Sequence, residues 1–319
     1  MENKLKIKEI PSLLKETYKE WMESEPFDLS AVVAYYSIFS LPALLIIIVT
    51  IAGMAFGRDA VQNQITGQIG GMIGNDSAKD IQVMIANSYK QGNSTIALIA
   101  GVATLLFGAT GVFMALQKSL NRVWNVKADP KKSGIKMMVK TRAISFGIIM
   151  AIGFLLLISL VLTSGLTAVS DWVAARMPDF VLYVFYVINF FVTLAIITLL
   201  FALLFRFLPD VKIEWRSVWT GAAITALLFV IGKYALAFYF GKAEPGSTYG
   251  AAGSIILILL WVSYSCLILF FGAEFTQVYA KRYGHSIEPN NNAVSLESNN
   301  TDPRKIQPTQ GGNLSSQAG

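Results

Sequence analysis

Histidine and cysteine are almost missing from these 319 residues, with one of each. A lone His285 cannot assemble the clustered imidazole ligands of a zinc centre, and a lone Cys266 can close no intrachain disulfide. Charge is scarce as well: 14% of residues are Asp, Glu, Lys or Arg, against about 25% in an average soluble domain. The glycines at 70, 71 and 74 lack the Lys-Ser/Thr ending of a phosphate-binding loop, and no Ser-His-Asp set can be traced. The sequence therefore predicts a protein that is not an enzyme, with no metal and no cofactor.

What fills the chain is apolar side chains, 54% of the total. They gather in runs at about 31–56, 95–117, 143–168, 180–207, 216–241 and 250–280. Each run exceeds the roughly 20 residues that cross a hydrocarbon core as a helix. Backbone groups in lipid must pair internally, and runs this long without regular turn signals exclude a membrane β-barrel. The expected fold is all-α, a polytopic membrane protein with six transmembrane helices. The first run begins only at residue 31 and is far longer than the roughly 7–15 residues of a signal-peptide core. It reads as a retained anchor.

Around this membrane domain, residues 31–284, lie two polar segments. Residues 1–30 contain Leu14, Tyr18, Trp21 and Met22 at helical spacing, which predicts an amphipathic helix over 12–24 on the membrane surface. Two further amphipathic patterns fall in the first outer loop: Val61, Ile65, Ile69 and Met72, then Ile81, Met84 and Ile85 behind a Ser77-x-x-Asp80 capping signal. From 285 to 319 the chain is rich in Asn, Gln, Ser and Gly, which predicts a disordered tail.

Lysines and arginines set the expected orientation. Five precede the first run, eight lie between 118 and 142, three around 206–216 and four after 280, against five on the alternate side. This bias places both termini in the cytoplasm. It also makes anionic lipid on the cytoplasmic side the expected partner, with no nucleic acid required to explain the excess of +6.

Along the second run Ala97, Gly101, Thr104, Gly108, Gly111 and Ala115 recur at spacings of four and three, on one helical face. Small residues so spaced let another helix approach closely, a main source of association in lipid. The stripe serves either an internal contact or a homo-oligomer. The same spacing carries on into Lys118, Arg122 and Asn125, with Asn121 beside them and Trp124 suited to the headgroup belt. In the first run, Pro42 removes a backbone bond to Ile38 and should bend the helix, opening room beside Tyr35, Tyr36, Ser37 and Ser40.

Two charges stand inside apolar runs. Lys233 must snorkel, pair or line water, since a cation at the helix centre costs about 2.5–3.5 kcal/mol on insertion scales. Glu274 lies near the other end of its span, at a depth similar to Arg206, Arg142 and Lys281. It is a candidate ion-pair partner of Arg206 or a proton site. Lys233, Tyr35, Tyr36, Ser37, Asn121 and Arg122 are the candidate contacts of a cavity.

Four stretches, AYYSIFSLPALLI (34–46), FGATGVFMALQKSLNRVWNV (107–126), RFLPDVKIEWRSVWTGA (206–222) and YGAAGSIILILLWVSYSCLILFFGAEF (249–275), resemble the YihY/BrkB family of bacterial inner-membrane proteins over roughly residues 25–284. The resemblance implies a six-helix protein of the inner membrane and carries an old ribonuclease label, but no agreed substrate. With one histidine and scattered carboxylates, a metal-dependent nuclease is the least supported reading. Two others stand: a transporter or lipid-handling protein with a cavity among its helices, and a structural scaffold in which every seam packs.

Overall fold

The computed structural model describes residues 7–75, 78–79, 82–83, 95–129, 179–243, 245–283, 287–290 and 293–296. The run at 143–168 and the amphipathic pattern from Ser77 to Ile85, apart from isolated positions, lie outside them. The described chain is helical almost throughout. After a short 3-10 turn at Ile7–Glu9 come α1 (Ile10–Glu23), α2 (Pro26–Phe56), α3 (Arg58–Ile73), α4 (Thr95–Val123), α5 (Asp179–Phe207), α6 (Trp215–Ala243) and α7 (Gly253–Arg282). Five of these coincide with expected apolar runs. Among the described residues, three helices are long and apolar enough to cross a membrane: Tyr183–Phe207 within α5, then α6 and α7.

The helix ends follow from local chemistry. Glu25 takes a left-handed backbone (φ 55°), and Pro26 behind it supplies the first residue of α2, where its missing N–H is no loss. This starts α2 five residues before the apolar run. Gly57 (φ 85°) ends α2, donating its N–H to Gly53 O at 3.0 Å, and Gly74 (φ 93°) ends α3 in the same way. Asn125 (φ 51°) ends α4 and turns the chain into strand β1 (Val126–Ala128). Left-handed geometry favours glycine and, after it, asparagine.

α7 is the centre of the bundle, packed on α1, α2, α4 and α6, while α2 also lies along α4 and α5 along α6. The main core gathers toward the end of the bundle where α4 and α5 finish and α6 begins. There Val33 of α2, Leu120 of α4, Phe205 of α5, Ala222 of α6, and Phe270 and Ala273 of α7 meet, each at most 2% exposed.

α1 differs from its expected setting in one respect. Its buried residues are Leu13 and Thr17, against Phe275, Val278 and Tyr279 of α7, whereas Leu14, Tyr18 and Met22 are exposed. The helix has two apolar faces, one inside the protein. Arg282 ties it down by bonds to Ser12 (2.9 Å) and Glu16 (2.7 Å), and the Tyr283 hydroxyl donates to Glu9 (2.7 Å). α3 carries the first of the two amphipathic patterns expected after the first apolar run, with Val61 buried against Val49.

The tail departs from the expectation of disorder at 285. β3 (Glu288–Pro289) pairs antiparallel with β2 (Val211–Lys212), and β4 (Ala293–Ser295) with β1, in the register Val126↔Ser295, Lys127↔Val294 and Ala128↔Ala293. Asn290 N–H donates to Asp210 O (2.9 Å) and Leu296 N–H to Asn125 O (2.8 Å). Polar composition predicted no apolar core for this segment, but backbone groups offered by two loops hold it.

Candidate functional site

The four stretches that carry the family resemblance contribute to one end of the bundle. Two polar nodes lie there. In the first, Asn121 on the last turns of α4 faces Asp210 in the loop after α5. Its amide nitrogen donates to the Asp210 carboxylate (2.8 Å), its carbonyl accepts the Asp210 backbone N–H (2.7 Å), and Gln117 adds a longer bond (3.3 Å). Pro209 before it ends the helical course of α5, so the LPD stretch presents Asp210 to α4. In the second node, Ser24 donates its hydroxyl to Glu274 Oε1. Ser24 is the last residue before the α1–α2 joint, and Glu25 next to it pairs with Arg122 at 2.7 Å. Arg122 adjoins Asn121, so the two nodes are linked through the joint.

Glu274 is 1% exposed and Gln277, one turn on, is 2% exposed. Among the described residues Glu274 Oε2, Gln277 Oε1 and the indole N–H of Trp21 have no hydrogen-bond partner. Trp21 stands edge-on to Phe271, ring centroids 5.9 Å apart. Groups this buried are ordinarily bonded, so the open valences of Glu274, Gln277 and Trp21 where α7 meets α1 mark a candidate site.

The expected residues scatter between packing and this end. Ser37 is buried and donates to Val33 O (2.9 Å), which uses its hydroxyl inside α2. Tyr36 lies over Gly111, and Tyr35 is exposed, edge-on to Tyr36 and Phe39. The stripe on α4 is an internal contact with α2 where it is described. A Cβ on Gly108 would sit 2.8 Å from Ser40 N, one on Gly111 would strike the Tyr36 ring, and Ala115 is buried. Ala97, Gly101 and Thr104 fall earlier on the same helix, and Pro42 lies mid-way along α2, which continues past it to Phe56.

Arg206 and Glu274 are not brought together. Arg206 donates to Ile213 O and stacks its guanidinium over Trp215 at 5.5 Å, whereas Glu274 faces the α1–α2 joint. Equal depth along two helices does not place two side chains on facing sides, and α5 packs on α6 rather than on α7. Trp124, expected at the headgroups, is 2% exposed in the main core. The left-handed Asn125 turns the chain back over the bundle, which buries the indole. Lys233 is half-buried on α6, its ammonium 5.9 Å from the Tyr234 ring, with no carboxylate partner among the described residues.

One contact passed unnoticed in the sequence. Gly221-x-x-x-Thr225 on α6 and Gly272-x-x-x-Thr276 on α7 clasp reciprocally: a Cβ on Gly221 would strike Thr276, and one on Gly272 would strike Thr225. Each threonine bonds back to the carbonyl of its own glycine at 2.7 Å, so neither hydroxyl is stranded. The repeated pattern GAAIT and GAEFT was the available signal.

The family profile described as Virulence factor BrkB matches residues 17–297. A protein named UPF0761 membrane protein from Verminephrobacter eiseniae is 31% identical over 179 residues, which is 56% of this chain and 40% of the relative. One of the same name from Saccharophagus degradans is 27% identical over 275 residues, 84% of this chain and 60% of the relative. The chain thus spans about half the length of these relatives. A Bacillus subtilis protein named putative ribonuclease-like protein YfkH is 26% identical over 278 residues, 85% of this chain and 96% of its own length. No solved structure matches.

Proposed function

The chain belongs to the BrkB family of membrane proteins, and on that premise we propose that it binds and moves an anionic amphiphile, a lipid or a lipid-like solute, in the bacterial inner membrane, with both termini in the cytoplasm. The observation that supports this reading is Lys233. It interrupts α6 about 15 Å from that helix's C-terminal end at about 1.5 Å per residue, half-buried and without a carboxylate partner among the described residues. A cation kept at such a position calls for an anion from elsewhere, and a phosphate or carboxylate headgroup is the anion a bilayer offers. The lysines near the terminal end and the exposed Leu14, Tyr18 and Met22 of α1 suit contact with anionic lipid on the cytoplasmic side.

The scaffold reading has its own support. Tyr36, Ser37, Asn121 and Arg122, expected around a cavity, are taken up by internal contacts. A test separates the two. The protein is extracted in native membrane discs and its retained lipids are measured by mass spectrometry, beside Lys233→Met, which keeps the side-chain volume and suits lipid. Enrichment of one anionic lipid in the wild type, lost in the variant, is the expected result. Retained lipids that match the bulk membrane in both proteins overturn it in favour of the scaffold.

A further inference from the structure

α6 presents two unlike sides. The side turned to the bundle is built of small residues, with Gly221, Ala222, Thr225, Ala226 and Gly232 all buried. The opposite side is exposed and banded along its length. Trp215 and Trp219 stand at its start, Ala223, Leu227 and Ile231 follow, and Tyr234 and Phe238 close it, each three or four residues after the last and so on one helical face. Aromatic rings thus bracket an aliphatic middle, and no charged residue occurs from Ser217 to Gly232.

The spacing of the bands identifies what covers this face. Their centres are about 19 residues apart along α6, which at about 1.5 Å per residue is about 29 Å. The hydrocarbon core of a bilayer is roughly 30 Å thick, and Trp and Tyr gather at its two boundaries. Cations accompany the rings at both ends: the Arg206 guanidinium lies 5.5 Å from the Trp215 ring, Lys233 Nζ 5.9 Å from that of Tyr234 and Lys242 Nζ 5.3 Å from that of Phe238. The neighbouring α5 repeats the order. Phe207, its ring 6.1 Å from Trp215, continues the first band, Val187 and Ile188 are exposed farther along, and exposed Tyr183 stands toward the other end. A protein partner fits this side less well, because close helix contacts in lipid use small residues, and α6 turns those to α7, where Gly221 faces Thr276.

We infer that the exposed side of α5 and α6 is a wall against lipid acyl chains, with one headgroup plane at Phe207, Trp215 and Trp219 and the other at Tyr234 and Phe238, and that Lys233 meets a phospholipid phosphate in the leaflet remote from the α5–α6 turn. Lys233 precedes Tyr234 by one residue, so its long stem carries the ammonium to that second plane. The phosphate contact rests on the lipid reading and assigns it a leaflet, whereas the wall depends on no ligand.

Spin labels measure the depth of this face. In the full chain in phospholipid nanodiscs, with Cys266→Ala removing the native thiol, Trp219→Cys, Ala223→Cys, Leu227→Cys, Ile231→Cys and Tyr234→Cys each carry a nitroxide, whose collisions with oxygen and with a water-soluble nickel complex are compared. Preference for oxygen is expected to peak at Leu227, midway between the bands, and to fall on both sides until Tyr234 is as shallow as Trp219. A peak at any other position displaces both planes and overturns the assignment; at Ile231 or Tyr234 it would leave Lys233 in the hydrocarbon. Labels reached by nickel along the whole row, or by neither reagent, place water or a protein partner there and overturn the wall. Should the cysteine-free background fail to fold, a phospholipid carrying a nitroxide on its headgroup is expected to quench the tryptophan fluorescence of the wild type more than that of Trp215→Phe/Trp219→Phe, and equal quenching overturns the first plane. Lys233 is present in every labelled protein, so a peak at Leu227 beside retained lipids that match the bulk membrane removes the lipid reading and the phosphate contact while the wall stands.

Discussion

Asn121 shows how much one side chain can decide at this end of the molecule. It is 8% exposed and exchanges two hydrogen bonds with Asp210, one through its amide nitrogen and one through its oxygen. Asn121→Ala strands the Asp210 N–H and weakens the hold on its carboxylate, a loss of about 1–3 kcal/mol for buried groups left unmade. Arg122→Ala breaks an ion pair whose members are 46% and 57% exposed, and should stay within about 1 kcal/mol of wild type. Thermal unfolding of the detergent-solubilised protein, followed by intrinsic fluorescence, checks the contrast; equal shifts in the two variants would refute it. Both residues were visible in the sequence as a polar edge following the small-residue stripe. Which of them is structural was not, because that depends on Asp210, 89 positions away.

Among the elements, the crossing of α6 and α7 depends on two glycines, each facing the other helix's threonine. Gly272→Ala places a methyl group where Thr225 stands, and overpacking of this kind costs about 1–3 kcal/mol. Trimming the obstacle in Gly272→Ala/Thr225→Gly should recover part of the lost unfolding temperature, whereas Thr225→Gly alone should not raise it. A double variant no better than Gly272→Ala would show that the clasp is not the source of the loss. The α2–α4 seam works by the same physics, and its spacing of four and three could be read directly from Gly108, Gly111 and Ala115. The α6–α7 pair left a fainter trace, the repeat GAAIT and GAEFT, and only the packing shows that each glycine faces the other helix's threonine.

Across the whole molecule, residues 287–290 and 293–296 tie the turn after α4 to the loop after α5 through β4 and β3. Truncation after Tyr283 removes both pairings and the Asn290 bond to Asp210. It should lower the unfolding midpoint and open the loops around Asn125 and Asp210 to protease, while truncation after Leu296 keeps every one of these bonds. Unfolding scans and limited proteolysis of the two truncated proteins distinguish them; identical behaviour would mean that the clasp contributes nothing.

Length and composition alone were enough to place the five apolar runs that the structure describes as helices, because backbone groups in an apolar setting have to pair within their own segment and the side chains declare that setting residue by residue. They also placed the small-residue stripe on one face of α4, since helical periodicity is local. Tertiary structure alone decided that α7 is the centre of the bundle, that Arg206 turns to Ile213 and Glu274 to Ser24, that Trp124 is buried, and that the polar tail pairs with two loops. Each of these rests on groups distant in the chain, 250 positions apart for Ser24 and Glu274, and no local period carries that pairing.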